Sequence, residues 1–298
     1  MDWSTLLASF AGGMWGAAVG AVPAFVVTGV LAIFGAVAVA AGHPEFLGIA
    51  FGPVFGPHVS FGGGVGAAAF AGWRGLMPNG RDVGAPLIEL KRLDVLLVGG
   101  AFGLAGNLVN AGLGRLGVGA WTDTIALTVV LTAFAARWFF GKTSLFGKVS
   151  SPAGRRFHPD EQAFWLPWQE RWPHVIAIGF AVGAVGAYLA HGSGLPAGAD
   201  ALAFGLATTV LLFLVMGRRV PVSHHIALPA ALGVLHGGGM FVGVFCGIAG
   251  AIIGEIASRL FLIHGDTHID PPAVGIAAVV AMLKIATALA WLPGLGVQ

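Results

Sequence analysis

The sequence predicts an all-α protein, a polytopic transmembrane helical bundle, and three observations lead there. Hydrophobic residues form 57% of the chain and charged residues 9%, with a mean hydropathy of +0.87, whereas soluble domains carry roughly 25% charged residues. The apolar stretches run on for about 20 residues, the length of a membrane-spanning helix. They do not alternate apolar with polar, which excludes a transmembrane barrel. Helices and barrels are the only ways to satisfy backbone groups in lipid.

About eight spans are expected, over residues 12–41, 59–76, 93–112, 121–140, 173–191, 199–217, 230–263 and 271–291. The first holds Pro23 and should kink or break there. The apolar but Gly- and Pro-rich "HPEFLGIAFGPVFGP" that follows reads as a re-entrant loop buried against protein, or as a contact between protomers. "HVSFGGG" opens the second span, with His58 ahead of Ser60 as N-cap. Asn107 and Asn110 share one face of the third, suited to interhelical hydrogen bonding or to a polar pathway. The 141–172 loop, with Trp165, Trp168 and Trp172 among mixed charges, reads as an interfacial segment. The seventh span should begin with a short half-helix before "HGGGM", and it carries Glu255 and Arg259 one turn apart. In the last, Asp270 is the expected N-cap and Pro271 the first helical residue. Lys284 lies within that span and needs a partner, for which Glu255 is the candidate.

Basic residues cluster in alternate loops, with Arg74, Arg81, Lys91 and Arg92 in one, Arg137 to Arg171 in the next, and Arg218 and Arg219 in a third. The positive-inside rule then makes those loops and both termini cytoplasmic. It places "HGDTHID" on the outer side with His43, Glu45, His58, Asp123, His191 and Asp200. "MDWSTLLASF" lacks a basic n-region, so no cleaved signal is expected. The lone Cys246 allows no intrachain disulfide. A multi-pass protein of a prokaryotic inner (plasma) membrane is the expected setting.

The chain also repeats itself. "DVLLVGGAFGLAGNLVNAGLG" from Asp94 and "HVIAIGFAVGAVGAYLAHGSG" from His174 align so that Gly179, Gly183, Gly186, Gly192 and Gly194 all fall on glycines. "GGM" at 12–14 recurs at 238–240, and His58-Val59-Ser60 corresponds to His268-Ile269-Asp270. The expectation is a single integral membrane domain over 1–298 with a circularly permuted, parallel repeat. Its halves are about 1–140 and 173–298, joined by the cytoplasmic 141–172 loop.

Substrate sites of repeat-built transporters tend to lie at the repeat interface. The leading expectation is therefore a permease-like transporter or channel for a small solute or cation, with a polar outer vestibule. His58, Ser60, His268, Asp270, Glu255, Arg259, Lys284, Asn107 and Asn110 are its candidate pathway residues. A non-transporting membrane subunit or oligomeric scaffold is the alternative. A metal-dependent membrane enzyme ranks third, with His264, Asp266, His268 and Asp270 as possible ligands of a divalent ion. Their spacing is irregular, no catalytic motif accompanies them, and no cofactor is expected. The partners expected are the lipid bilayer, the solute and further copies of the chain, not nucleic acid.

Overall fold

The computed structural model describes residues 2–149, 154–192 and 197–293, which leaves out Gly194 of the glycine register. In order, the helices are α1 (Trp3–Val19), α2 (Ala21–Ala40), α3 (Leu47–Phe51), α4 (Ser60–Trp73), α5 (Leu93–Arg115) and α6 (Thr124–Phe140). Then come α7 (Trp172–Gly192), α8 (Ala199–Thr209), α9 (Leu211–Val215), α10 (His224–Gly233), α11 (Gly239–Ala257) and α12 (Pro271–Ala288). No strand occurs among the described residues. Five helical segments there are long and apolar enough to cross a membrane: Ala21–Ala40, Leu93–Arg115, Trp172–Gly192, His224–Leu262 and Pro271–Ala288. Thr124–Phe140 and Ala199–Val215 are apolar but shorter. Large apolar side chains such as Phe241, Trp138 and Leu116 stand exposed on the outside, as on surfaces that meet lipid or other protein.

Two of the expected spans divide. The first apolar run breaks at Gly20, where φ is 93°, not at Pro23. A left-handed φ is strained for any residue with a Cβ. Pro23 instead sits in the first turn of α2, where a missing N–H removes no helical hydrogen bond. The expected 230–263 span is broken at Gly237, with φ 82°. Beyond it α11 turns back along α10, which brings Gly243 beside Gly233 and Gly250 against the His225 carbonyl. The half-helix before "HGGGM" is therefore present, but it starts at His224. The segment between α2 and α4 does re-enter the bundle. Leu47 packs on Gly35, Thr28 Oγ1 donates to Phe55 O at 2.6 Å, and α4 is buried from Ser60 to Ala71.

Helix α5 receives α1 and α4, and α11 receives α7 and α10. Likewise α4 packs on α6 as α10 packs on α12, while α2 meets α8 and α6 meets α12. Small residues permit the close approach. Gly13 meets Gly103, Gly183 meets Gly247, and a Cβ on Gly106 or Gly250 would overlap the carbonyl of His58 or His225. Helices α6 and α12 run antiparallel. At one end Thr122 Oγ1 donates to Ala277 O at 2.7 Å, and at the other Arg137 Nε donates to Thr267 Oγ1 at 2.6 Å.

These contacts define two faces. Gly80 N donates to Asp266 O at 2.8 Å, and Trp168 Nε1 donates to Val220 O at 3.0 Å, tying the 74–92, 141–171, 216–223 and 263–270 segments into one face. Every Lys and Arg except Arg115 and Lys284 lies at or beside it. "HGDTHID" belongs to this basic face and not, as expected, with Asp123 and Asp200. The reversal between α10 and α11 adds a traverse and moves it across. The break at Gly20 does the same for the start of α1.

Candidate functional site

Between α6 and α12 lies a cavity of about 310 Å³. Its walls are largely aromatic, with Phe25 from α2, Phe61 from α4, Phe204 from α8 and Phe51 from the re-entrant segment. Asp123, Asp200, Asp270 and His224 supply its polar groups, and no Lys or Arg lines it. Asp123 and Asp270 are there because each caps a helix. Asp123 Oδ1 accepts from Ala126 N at 2.7 Å, and Asp270 Oδ2 accepts from Ala273 N at 2.9 Å. At Asp270 the cap and the helix dipole favour the ionised carboxylate, and its other oxygen lies 3.1 Å from His268 Nε2.

Asp123 and Asp200 are half-buried, whereas Asp270, His224 and His268 are buried. The cavity thus has its mouth on the side of Asp123 and its floor towards the basic face. Aromatic rings close the floor. Phe61 and Trp165 meet the His268 ring edge-on at 5.9 and 5.6 Å, and Phe25 meets Phe61 at 5.4 Å. Below them a void of about 20 Å³ leads towards an open vestibule of about 530 Å³ that includes Arg81, Asp82 and Gln162.

Of the residues singled out in the sequence, His268 and Asp270 form this floor. His58 and Ser60 belong to a different surface. His58 is buried against Gly106 and beside Asn107, with Nδ1 unpartnered. Ser60 does not cap α4, because its hydroxyl donates back to Phe55 O at 3.2 Å. Asn107 Nδ2 donates to Ser9 Oγ at 2.7 Å, tying α5 to α1, and neither Asn107 nor Asn110 lines the cavity. Glu255 and Arg259 form a buried ion pair at 2.6 Å. Arg259 also donates to Glu170 O at 2.9 Å and to Phe157 O, with its guanidinium 4.5 Å above Trp172.

Lys284 does not reach Glu255. The C-terminal ends of α11 and α12 lie at opposite faces, and Lys284 Nζ donates to Gly119 O. The four suggested metal ligands do not converge either. Asp266 is taken up by Thr143 Oγ1 at 2.7 Å, by Lys142 N and by Arg137 at 4.0 Å, while His268 turns to Asp270. No group of three or more His, Cys, Asp or Glu placed to hold a metal exists among the described residues.

Sequence reasoning missed the cavity roles of Asp123, Asp200, His224 and Trp165, and the role of Arg137. The Arg137 guanidinium is buried and donates to Thr267 O at 2.6 Å, Leu145 O at 2.9 Å and Phe261 O at 3.0 Å. One signal was available: Asp123-Thr124 and Asp270-Pro271 are equivalent cap-and-start pairs, each followed 14 residues after the Asp by a basic residue, Arg137 and Lys284.

No match was found among the curated proteins or among the solved structures. One family model matches the chain twice, over residues 1–156 and again over 155–297. The chain therefore belongs to that family, which is described as a family of unknown function (DUF7973).

Proposed function

We propose that the chain is an integral membrane permease that moves a small organic cation through the cavity between two inverted halves. The observation that carries this reading is a cavity with three carboxylates, no Lys or Arg and four phenylalanines on its walls. Carboxylates attract a cation and aromatic faces hold its apolar and cationic parts. A volume of about 310 Å³ lies at the small end of ligand pockets.

The twofold family match supports a tandem duplication with the halves meeting near residue 155. "VGGAFGLAGNLVNAGLGR" from Val98 then corresponds to "VGVFCGIAGAIIGEIASR" from Val242, so Gly99, Gly103, Gly106 and Arg115 fall on Gly243, Gly247, Gly250 and Arg259. His58 corresponds to His225 through the matching contacts with Gly106 and Gly250, and Asp123 corresponds to Asp270. Each half contributes five traverses, an odd number, so the copies are inverted and not parallel. The resemblance of α5 to α7 reflects the glycine spacing that any close helix contact selects. By the positive-inside rule the basic face is cytoplasmic. Both described chain ends then lie on the outer side, where the cavity has its mouth.

Counterflow of radiolabelled tetramethylammonium in proteoliposomes tests the reading. Wild type should exchange the label, and Asp270→Asn should exchange it far more slowly at the same label concentration. Wild-type vesicles no faster than empty ones would overturn it.

A further inference from the structure

A second polar pocket lies behind the cavity floor. Its volume is about 30 Å³, and Glu170, Ser258, His225 and Glu255 line it. Glu170 Oε2, Ser258 Oγ and His225 Nδ1 are buried there without hydrogen-bond partners. Three unpaired polar atoms around such a space are an unfavourable arrangement unless something polar joins them. The volume holds a water molecule, and these partners are enough to anchor one. A metal cation is disfavoured, because the Arg259 guanidinium already pairs with Glu255 on the same wall.

The pocket has a titratable neighbour on the cavity side and lies close to open space on the other. Towards the cavity, the His225 ring lies 5.8 Å from His224, which lines the cavity with Asp270. Towards the basic face, Trp165 and Leu166 separate the pocket from the open vestibule, because both line the two spaces. Glu170 sits between these directions, and its Oε1 accepts from Leu166 N at 2.7 Å. The charged and titratable groups around it are Glu255 from the end of α11, Arg259 just beyond that end, and His225 from α10. Asp270 stands at the head of α12.

We propose that this pocket is a water-filled proton relay, linking the basic face to the cavity and making the permease proton-coupled. Chains of His and carboxylates play this part in membrane pumps and transporters. The step balances without any other reactant. The Glu170 carboxylic acid gives its proton to the pocket water, which passes one to the His225 imidazole. A carboxylate and an imidazolium result. The imidazolium releases the proton through His224 to the Asp270 carboxylate, and solvent at the basic face reprotonates Glu170. Neutral Asp270 holds a cation less strongly, which ties proton arrival to cation release. Burial, with Glu255 nearby, pushes the Glu170 carboxyl up to about 8, so it carries a proton at neutral pH.

The coupling rests on the permease reading, and two measurements separate the two claims. Infrared difference spectroscopy of the purified protein should show a carboxylic-acid C=O band that disappears with a midpoint near 8. The band should be missing in Glu170→Gln and kept in Asp123→Asn. Because proton and cation compete for Asp270, an outward proton gradient (acid inside) should drive accumulation of tetramethylammonium in proteoliposomes by wild type. Glu170→Gln should lose that accumulation while its counterflow persists, and Glu170→Asp should recover part of it. Wild-type counterflow without gradient-driven accumulation, or an infrared band unchanged in Glu170→Gln, overturns the relay and leaves the permease standing. Absent counterflow overturns the permease, and the infrared band then decides whether Glu170 is a buried acid.

Discussion

Asp270 has two separable roles, as N-cap of α12 through Ala273 N and as a charge on the cavity wall. Replacing it with Asn removes the charge and keeps a side chain that caps equally well, whereas Ala removes both. Losing the cap should cost about 1 kcal/mol. Asn should leave stability within about 0.5 kcal/mol, because the oxygen on Ala273 N survives. For binding, a cation about 4 Å from one carboxylate gains about 4 kcal/mol at an effective dielectric near 20. Asp123 and Asp200 share the same cavity, so the loss on neutralising Asp270 alone should be near half of that, about 2 kcal/mol, or roughly thirtyfold in affinity. Equilibrium binding of tetramethylammonium to purified wild type, Asp270→Asn and Asp270→Ala measures it, with thermal unfolding run in parallel. Equal affinity in Asp270→Asn and wild type would refute the assignment of this carboxylate to the site. A collapse of stability in Asp270→Asn would refute the separation of its roles.

Arg137→Ala should destabilise the protein by about 3–5 kcal/mol, because the carbonyls of Thr267, Leu145 and Phe261 lose their donor inside the protein. Thermal unfolding should show a much smaller loss for Lys284→Ala, whose ammonium donates to Gly119 O. Gly106→Ala and Gly250→Ala should each cost about 1–3 kcal/mol, since the new methyl would overlap the carbonyl of His58 or of His225; the yield of monodisperse protein reports it. Glu170 has a folded-state pKa raised to about 8, so folding favours its protonated form. Its contribution to stability is full below the unfolded carboxyl range and is lost as pH rises through about 8. Wild type should therefore melt at progressively lower temperature over that interval, and Glu170→Gln should flatten the slope.

Much of the architecture was legible in the sequence because lipid-length apolar runs leave few options. The re-entrant segment was readable from Gly and Pro in an apolar stretch, and the Asp270 cap from its position before Pro271. Which face each loop occupies was not legible, for a physical reason. Sidedness depends on the parity of traverses, and the Gly20 and Gly237 breaks hide inside continuous apolar runs. Missing them misplaced "HGDTHID", which the structure ties to Gly80 and Lys142. The partner of Lys284 was lost with the same parity. Asn107 was read as suited to interhelical hydrogen bonding or to a pathway, and its partner Ser9 lies on α1, far away in sequence. The cavity escaped because its carboxylates come from separate loops, each an ordinary helix cap in isolation.

The account turns on the inversion of the two halves. Lys142 and Leu289 occupy equivalent positions just beyond α6 and α12, and both are exposed. With Cys246 replaced by Ala, a single cysteine at each position can be probed in intact cells with a membrane-impermeant thiol reagent. Inverted halves predict labelling of Leu289→Cys and protection of Lys142→Cys until the membrane is opened. Labelling of both from the same side would contradict the inversion, and with it the cavity as the meeting place of two opposed halves.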